Sequence, residues 1–117
     1  MNIENKLLKY IQRYKELAIK QKEALHAGDK NADKFVSRIE KIYRKITRFE
    51  ASGQEQLFVL LTNEHPAVRW WAANHLVDFY PEQARQVIQK MENEATDLYA
   101  VDAELLLIAW QEKTENK

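Results

Sequence analysis

The sequence predicts an all-α protein of about six helices, a long antiparallel helical hairpin followed by a short α-solenoid. Three observations lead there. Glycine and proline occur only twice each in 117 residues, too few breakers for a chain of turns and strands. Apolar residues recur at steps of three and four rather than alternating. A proline-marked break, TNEHP at 62–66, is followed by more short helical stretches, the pattern of a solenoid unit. Apolar residues make up 45% and charged residues 31%, as in a soluble globular protein long enough to bury a real core.

The first helix is expected over about 2–27. Leu7, Ile11, Tyr14, Ala18, Gln21 and Leu25 share one face, which Leu8 and Leu17 broaden. Gly28 is placed to end it with a positive φ, and Asp29 and Asn31 can cap a second helix. On that helix Phe35, Ile39, Ile42, Ile46 and Phe49 repeat in a 4-3-4-3 pattern, with Val36 and Tyr43 at the edges, and Gly53 is expected to end it. The seven-residue repeat implies a coiled-coil-like seam between the two helices. Lys34, Arg38, Lys41, Lys45 and Arg48 each directly precede a seam residue, and Arg44 joins them. Bases so placed lie at the edge of the seam, stems on apolar surface and charges in water. The same stripe could follow a phosphate backbone.

The second half is expected to hold a short helix over 54–62 with Leu57, Leu60 and Leu61, then a helix over 66–79 started by Pro66 behind Glu64 or His65. Two apolar faces mark the latter as buried between neighbours: Val68, Trp71, Ala72, His75, Leu76 and Phe79, then Trp70, Ala73, Val77 and Tyr80. Pro81 starts a helix to about 92 with Ala84, Val87, Ile88 and Met91 inward. Thr96 or Asp97 caps the last helix, to about 112, with Leu98, Val101, Leu105 and Ile108 on one side and Tyr99, Ala103, Leu106 and Trp110 on the other.

The net charge of zero hides a split. Residues 1–53, the basic hairpin, carry 13 Lys/Arg against 7 Asp/Glu; residues 54–117 carry 5 against 11. The two parts are expected to form one compact unit. Such asymmetry bears on partners and steering. Cysteine is absent, which excludes disulfides and a thiol nucleophile. The start MNIENKLLKY lacks a signal-peptide core, and the longest apolar run, residues 105–110, is too short to span a bilayer, so a cytoplasmic protein that does not enter membranes is expected.

HPAVRWWAANHL resembles the core of a HEAT-type repeat, of the form D/N-x-x-V-R-x-x-A-A-x-x-L, with Val68, Arg69, Ala72, Ala73 and Leu76 at the motif positions. YPEQARQVIQKM and VDAELLLIAW resemble the rest of a small bacterial HEAT-like domain family, so that the likeness covers about 55–111 and leaves the hairpin outside. The resemblance implies a protein-binding scaffold, of a kind also found among immunity proteins that bind and block a toxin domain, and it implies that Arg69 braces structure.

Chemistry is sparsely represented. His26, His65 and His75 have no metal-ligand spacing, Ser37 and Ser52 sit in no nucleophile elbow, and Asp102 and Glu104, two apart on a helix, point to different sides. No catalytic residue, metal or cofactor is expected. The partner-binding surface is expected at Glu92, Glu94, Asp97, Asp102 and Glu104 of the acidic half, with Tyr99, Leu106 and Trp110 as apolar anchors if that face of the last helix turns outward. The expected partner is a protein, in the most concrete case a basic toxin domain, such as a nuclease, encoded by an adjacent gene. Nucleic-acid binding through Lys34, Arg38, Lys41, Arg44, Lys45 and Arg48 is the alternative, and self-association of the basic half of one chain with the acidic half of another is the third.

Overall fold

In the computed structural model, residues 3–94 and 97–115 are described, and among them the chain is all helical. Six α-helices follow one another: α1 (Ile3–His26), α2 (Ala32–Thr47), α3 (Ala51–Val59), α4 (Pro66–Leu76), α5 (Pro81–Glu94) and α6 (Leu98–Glu115), with a 3-10 turn at Leu60–Thr62. No helix among the described residues is long and apolar enough to cross a membrane. The chain divides into two compact units, Met1–Val59 and Leu60–Lys117.

In the first unit α1 and α2 form the expected hairpin. Tyr10, early in α1, meets Phe49 edge-on at 6.1 Å, just past the end of α2, which fixes the pair as antiparallel. Leu7, Ile11, Tyr14, Leu17 and Ala18 of α1 are buried, as are Ile39, Ile42 and Ile46 of α2. Phe35 and Phe49 are half-buried, and Leu8 and Leu25 stand in water. Each fully buried aliphatic side chain contributes about 1.5–3 kcal/mol.

The connection is a Schellman motif. Asp29 N–H reaches back to the Ala24 carbonyl at 2.8 Å and Gly28 N–H to that of Leu25 at 3.1 Å. Gly28 supplies the left-handed residue at φ 71°. Asp29 then caps the next turn, its Oδ1 accepting from Asn31 N–H at 2.8 Å, while the Asn31 side chain makes no cap hydrogen bond.

Gly53 does not terminate α2. The helix ends at Thr47, and the chain reverses at Glu50, which takes φ 54° without being glycine. Gly53 instead lies buried inside α3, where an added Cβ would overlap the Ile46 carbonyl oxygen. The missing side chain is what lets α3 rest on the C-terminal end of α2. With α3 held to the hairpin by Gly53 and the buried Leu57, the division between the units falls after Val59 rather than after residue 53. By that division the first unit carries 13 Lys/Arg and 8 Asp/Glu and the second 5 and 10, so the charge split persists.

The first unit also buries polar groups. Gln21 and Lys22 are buried, and the Tyr14 side chain is fully enclosed. Burial above all, then the Glu40 carboxylate and Tyr43, push the Tyr14 phenol well above its ordinary pKa.

In the second unit α4 is central, packed against the 3-10 turn, α5 and α6. Ala67, Val68, Trp71, Ala72, Ala73 and Leu76 are buried, covering parts of both expected faces. The helix stops at Leu76, three residues earlier than expected, and leaves Phe79 exposed in the turn before Pro81. Ala84, Ile88 and Met91 of α5 are buried and Val87 half-buried. Asp97 caps α6, its Oδ1 accepting from Tyr99 N–H at 3.0 Å; Thr96, the other expected cap, lies outside the described residues.

The two glycines separate strain from steric fit. Gly28→Ala has open space around it and costs about 1 kcal/mol of backbone strain, whereas Gly53→Ala costs about 1–3 kcal/mol by overpacking and displaces α3. Chemical denaturation of both variants checks this. Tyr14 sets an alkaline limit. Above about pH 10 the unfolded chain loses the phenolic proton and the folded one keeps it, so stability falls by about 1.4 kcal/mol per pH unit. Denaturation midpoints between pH 9 and 11 should show this slope, and Tyr14→Phe should flatten it.

Candidate functional site

The feature that the fold builds on the second unit is the outer side of α6. Trp70 of α4 and His65, the residue that caps it, set how this helix lies. The Trp70 indole N–H donates to the Asp102 carbonyl at 3.3 Å. The His65 ring meets Tyr99 edge-on at 6.3 Å. Trp71 is buried, meeting Trp70 edge-on at 5.1 Å and the tilted His75 ring at 5.6 Å. Ala103, with no exposure, allows close approach, and Leu106 and Trp110 are 8% and 9% exposed.

The expected apolar anchors therefore face inward. Leu106 and Trp110 belong to the core of the second unit; Trp110 borders shallow grooves with Arg85 and Gln89 of α5 and does not project. Tyr99 is half-buried against His65. The opposite side of α6 is the one in water: Leu98 is 48% exposed, Val101 47%, Leu105 60% and Ile108 44%. The condition on which Leu106 and Trp110 would serve as anchors, that their face turn outward, is therefore not met. The small residue Ala103 was the available signal, because small side chains mark the side on which helices approach most closely.

The carboxylates are where they were expected. Glu92 and Glu94 are exposed at the end of α5, Asp97 and Glu104 are exposed, and Asp102 is half-buried. Along α6, Asp97 and Glu104 border the aliphatic stripe on one edge and Asp102 on the other, with Glu112 one turn beyond Ile108, as the 100° step per residue dictates. Lys113 is the one base on that helix among the described residues.

In the first unit Lys34, Arg38, Lys41, Arg44, Lys45 and Arg48 are all exposed. Arg38 lies over the Phe35 ring at 5.7 Å and Lys45 over Tyr10 at 5.6 Å, so at least these two use aromatic surface as the seam-edge reading anticipates.

The other singled-out groups have local roles. His65 caps α4, its Nδ1 accepting from Ala67 N–H at 3.1 Å, while its backbone N–H donates to Asn63 Oδ1 at 2.9 Å. Arg69 Nη1 donates to the Asn63 and Glu64 carbonyls at 2.8 and 3.1 Å, bracing the turn before its own helix. His26 ends α1, and Ser37 and Ser52 are exposed. Among the described residues no group of three or more His, Asp or Glu is placed to hold a metal ion.

No protein-family model matches the chain, and no curated protein matches its sequence. Among solved structures it is similar to the crystal structure of the protein RPA1889 from Rhodopseudomonas palustris, with 16% identity, a TM-score of 0.77, and coverage of 91% of this chain and 88% of that one. At that identity the likeness establishes the fold alone.

The His65 cap is testable by itself. His65→Ala should cost about 1 kcal/mol in denaturation, and His65→Asp, which restores an acceptor at a helix N-terminus, should recover most of it.

Proposed function

We propose that this chain is a non-catalytic protein–protein binding module, most concretely an immunity protein that binds a bacterial toxin in the cytoplasm and occludes it. The observation that carries the reading is the outer side of α6, an uncovered aliphatic stripe edged by carboxylates in a unit with twice as many acids as bases. The resemblance of residues 55–111 to small HEAT-like domains supports the same class. The mechanism is steric: the acidic unit covers a basic surface of the toxin, such as the substrate channel of a nuclease, and excludes its substrate. Complementary charge speeds this association more than it tightens it. The proposal assigns the chain no cofactor, metal or turnover of its own.

A second reading rests on a different observation, the five exposed bases along α2 and Arg48 just past its end. They form a stripe that could follow a phosphate backbone. A gel shift at low salt should then weaken steeply as salt rises and vanish when Lys41, Lys45 and Arg48 become Glu.

The first reading is tested by mixing the purified chain with the protein encoded by the adjacent gene. A complex tighter than micromolar is expected, with an association rate that falls as salt rises and falls at least tenfold in Asp97→Lys, Glu104→Lys. Absence of a complex at micromolar concentrations, with a neighbour that encodes no toxin, removes the proposal.

A further inference from the structure

The outer side of α6 specifies what it can bind more closely than its charge alone does. Leu98, Val101, Leu105 and Ile108 follow one another at steps of three, four and three, half of a coiled-coil seam. Over ten residues the seam runs about 15 Å along the helix axis. All four are aliphatic and 44–60% exposed, a continuous patch of the kind that monomeric proteins seldom leave uncovered. A convex strip offers no pocket for a single inserted side chain. Its complement is another strip, the apolar side of a helix whose residues fit between these four.

The rims choose the occupant. Asp97 and Glu104 border the stripe on one edge and Glu112 follows one turn beyond Ile108, while the half-buried Asp102 shares the other edge with Lys113. A second copy of α6 laid antiparallel on the first would set the Asp97–Glu104 edge against its own counterpart, and like charges across a seam are destabilising. Nucleic acid is repelled by the same rims and finds no aromatic platform in the stripe. Lysines and arginines along one flank of a partner helix meet Asp97 and Glu104, and Glu112 extends the acidic charge beyond Ile108.

Resting on the binding-module reading above, we infer that the Leu98–Val101–Leu105–Ile108 stripe of α6 is a docking site for a basic amphipathic helix of a partner protein, with aliphatic residues at three- and four-residue spacing and Lys or Arg on the flank that meets Asp97 and Glu104. The anchors on the inner side, Trp70 to the Asp102 carbonyl and His65 to Tyr99, hold the stripe outward before the partner arrives.

The test uses the full chain and labelled synthetic helical peptides of 24 residues. One carries Leu at the seam positions and Lys at the flanks; a second carries Glu at the flanks; a third scrambles the first. Fluorescence anisotropy should show the Lys-flanked peptide binding at least tenfold more tightly than either control, more weakly as salt rises, and at least tenfold more weakly to Leu105→Asp. Because Leu105 is exposed, that variant should keep the wild-type circular-dichroism melt, and the milder Leu105→Gln provides a second folded variant. Equal binding of all three peptides, or unchanged affinity in Leu105→Asp, overturns the inference. So does sedimentation showing a wild-type dimer that Leu105→Asp makes monomeric, which would make a second copy the occupant. If Leu105→Asp still binds the protein from the adjacent gene as the wild type does, the docking inference fails while the proposed function stands.

Discussion

A helix that is apolar on both sides can bury only one of them against a single layer of neighbours. That constraint governs α6, and much of the second unit serves to decide which side wins. Hydrophobic burial is non-directional and does not discriminate between Leu98–Val101–Leu105–Ile108 and Tyr99–Ala103–Leu106–Trp110. Directional contacts do. The Trp70 indole N–H donates to the Asp102 carbonyl, His65 is held by its capping bond and meets Tyr99, and Ala103 gives the close approach that a larger residue would prevent. The cost of the solution is four aliphatic side chains left in water, and from this the functional reading follows.

The first unit solves a different problem with similar means. Its hairpin needs little specification beyond the repeat of Ile39, Ile42 and Ile46 facing Leu7, Ile11, Tyr14 and Ala18, because a short connection closed by a Schellman motif sets the two helices antiparallel. The third helix is more demanding. It lies against the carbonyl end of α2, and only a residue without a Cβ fits where Gly53 meets Ile46. Lys22 and Gln21 are buried in the same unit, and the enclosed Tyr14 keeps its proton where an exposed phenol would lose it.

Much of this was legible in the sequence because it is written in local periodicity. The six helices, the Gly28 stop, the Pro66 start and the Asp97 cap each depend on residues within one or two turns. What was not legible depends on contacts distant along the chain. Gly53 reads as a helix terminator until Ile46 is seen against it, and nothing local marks Glu50 as the residue that takes a positive φ. Lys22 stands four residues from Ala18 and eight from Tyr14, the spacing of the apolar face, and is buried there despite its charge. The inner side of α6 was a choice between two equally apolar faces, and its determinants, Trp70 and His65, lie about thirty residues upstream. The carboxylates could be placed on the surface because burying a charge is expensive wherever it falls.

The account therefore turns on which side of α6 meets solvent. The most direct measurement is methyl NMR of the full chain with a soluble paramagnetic agent, which broadens signals in proportion to their accessibility. The account predicts strong broadening of the Leu98, Val101, Leu105 and Ile108 methyls and protection of those of Leu106. Protected Leu105 and Ile108 methyls with an accessible Leu106 would contradict it.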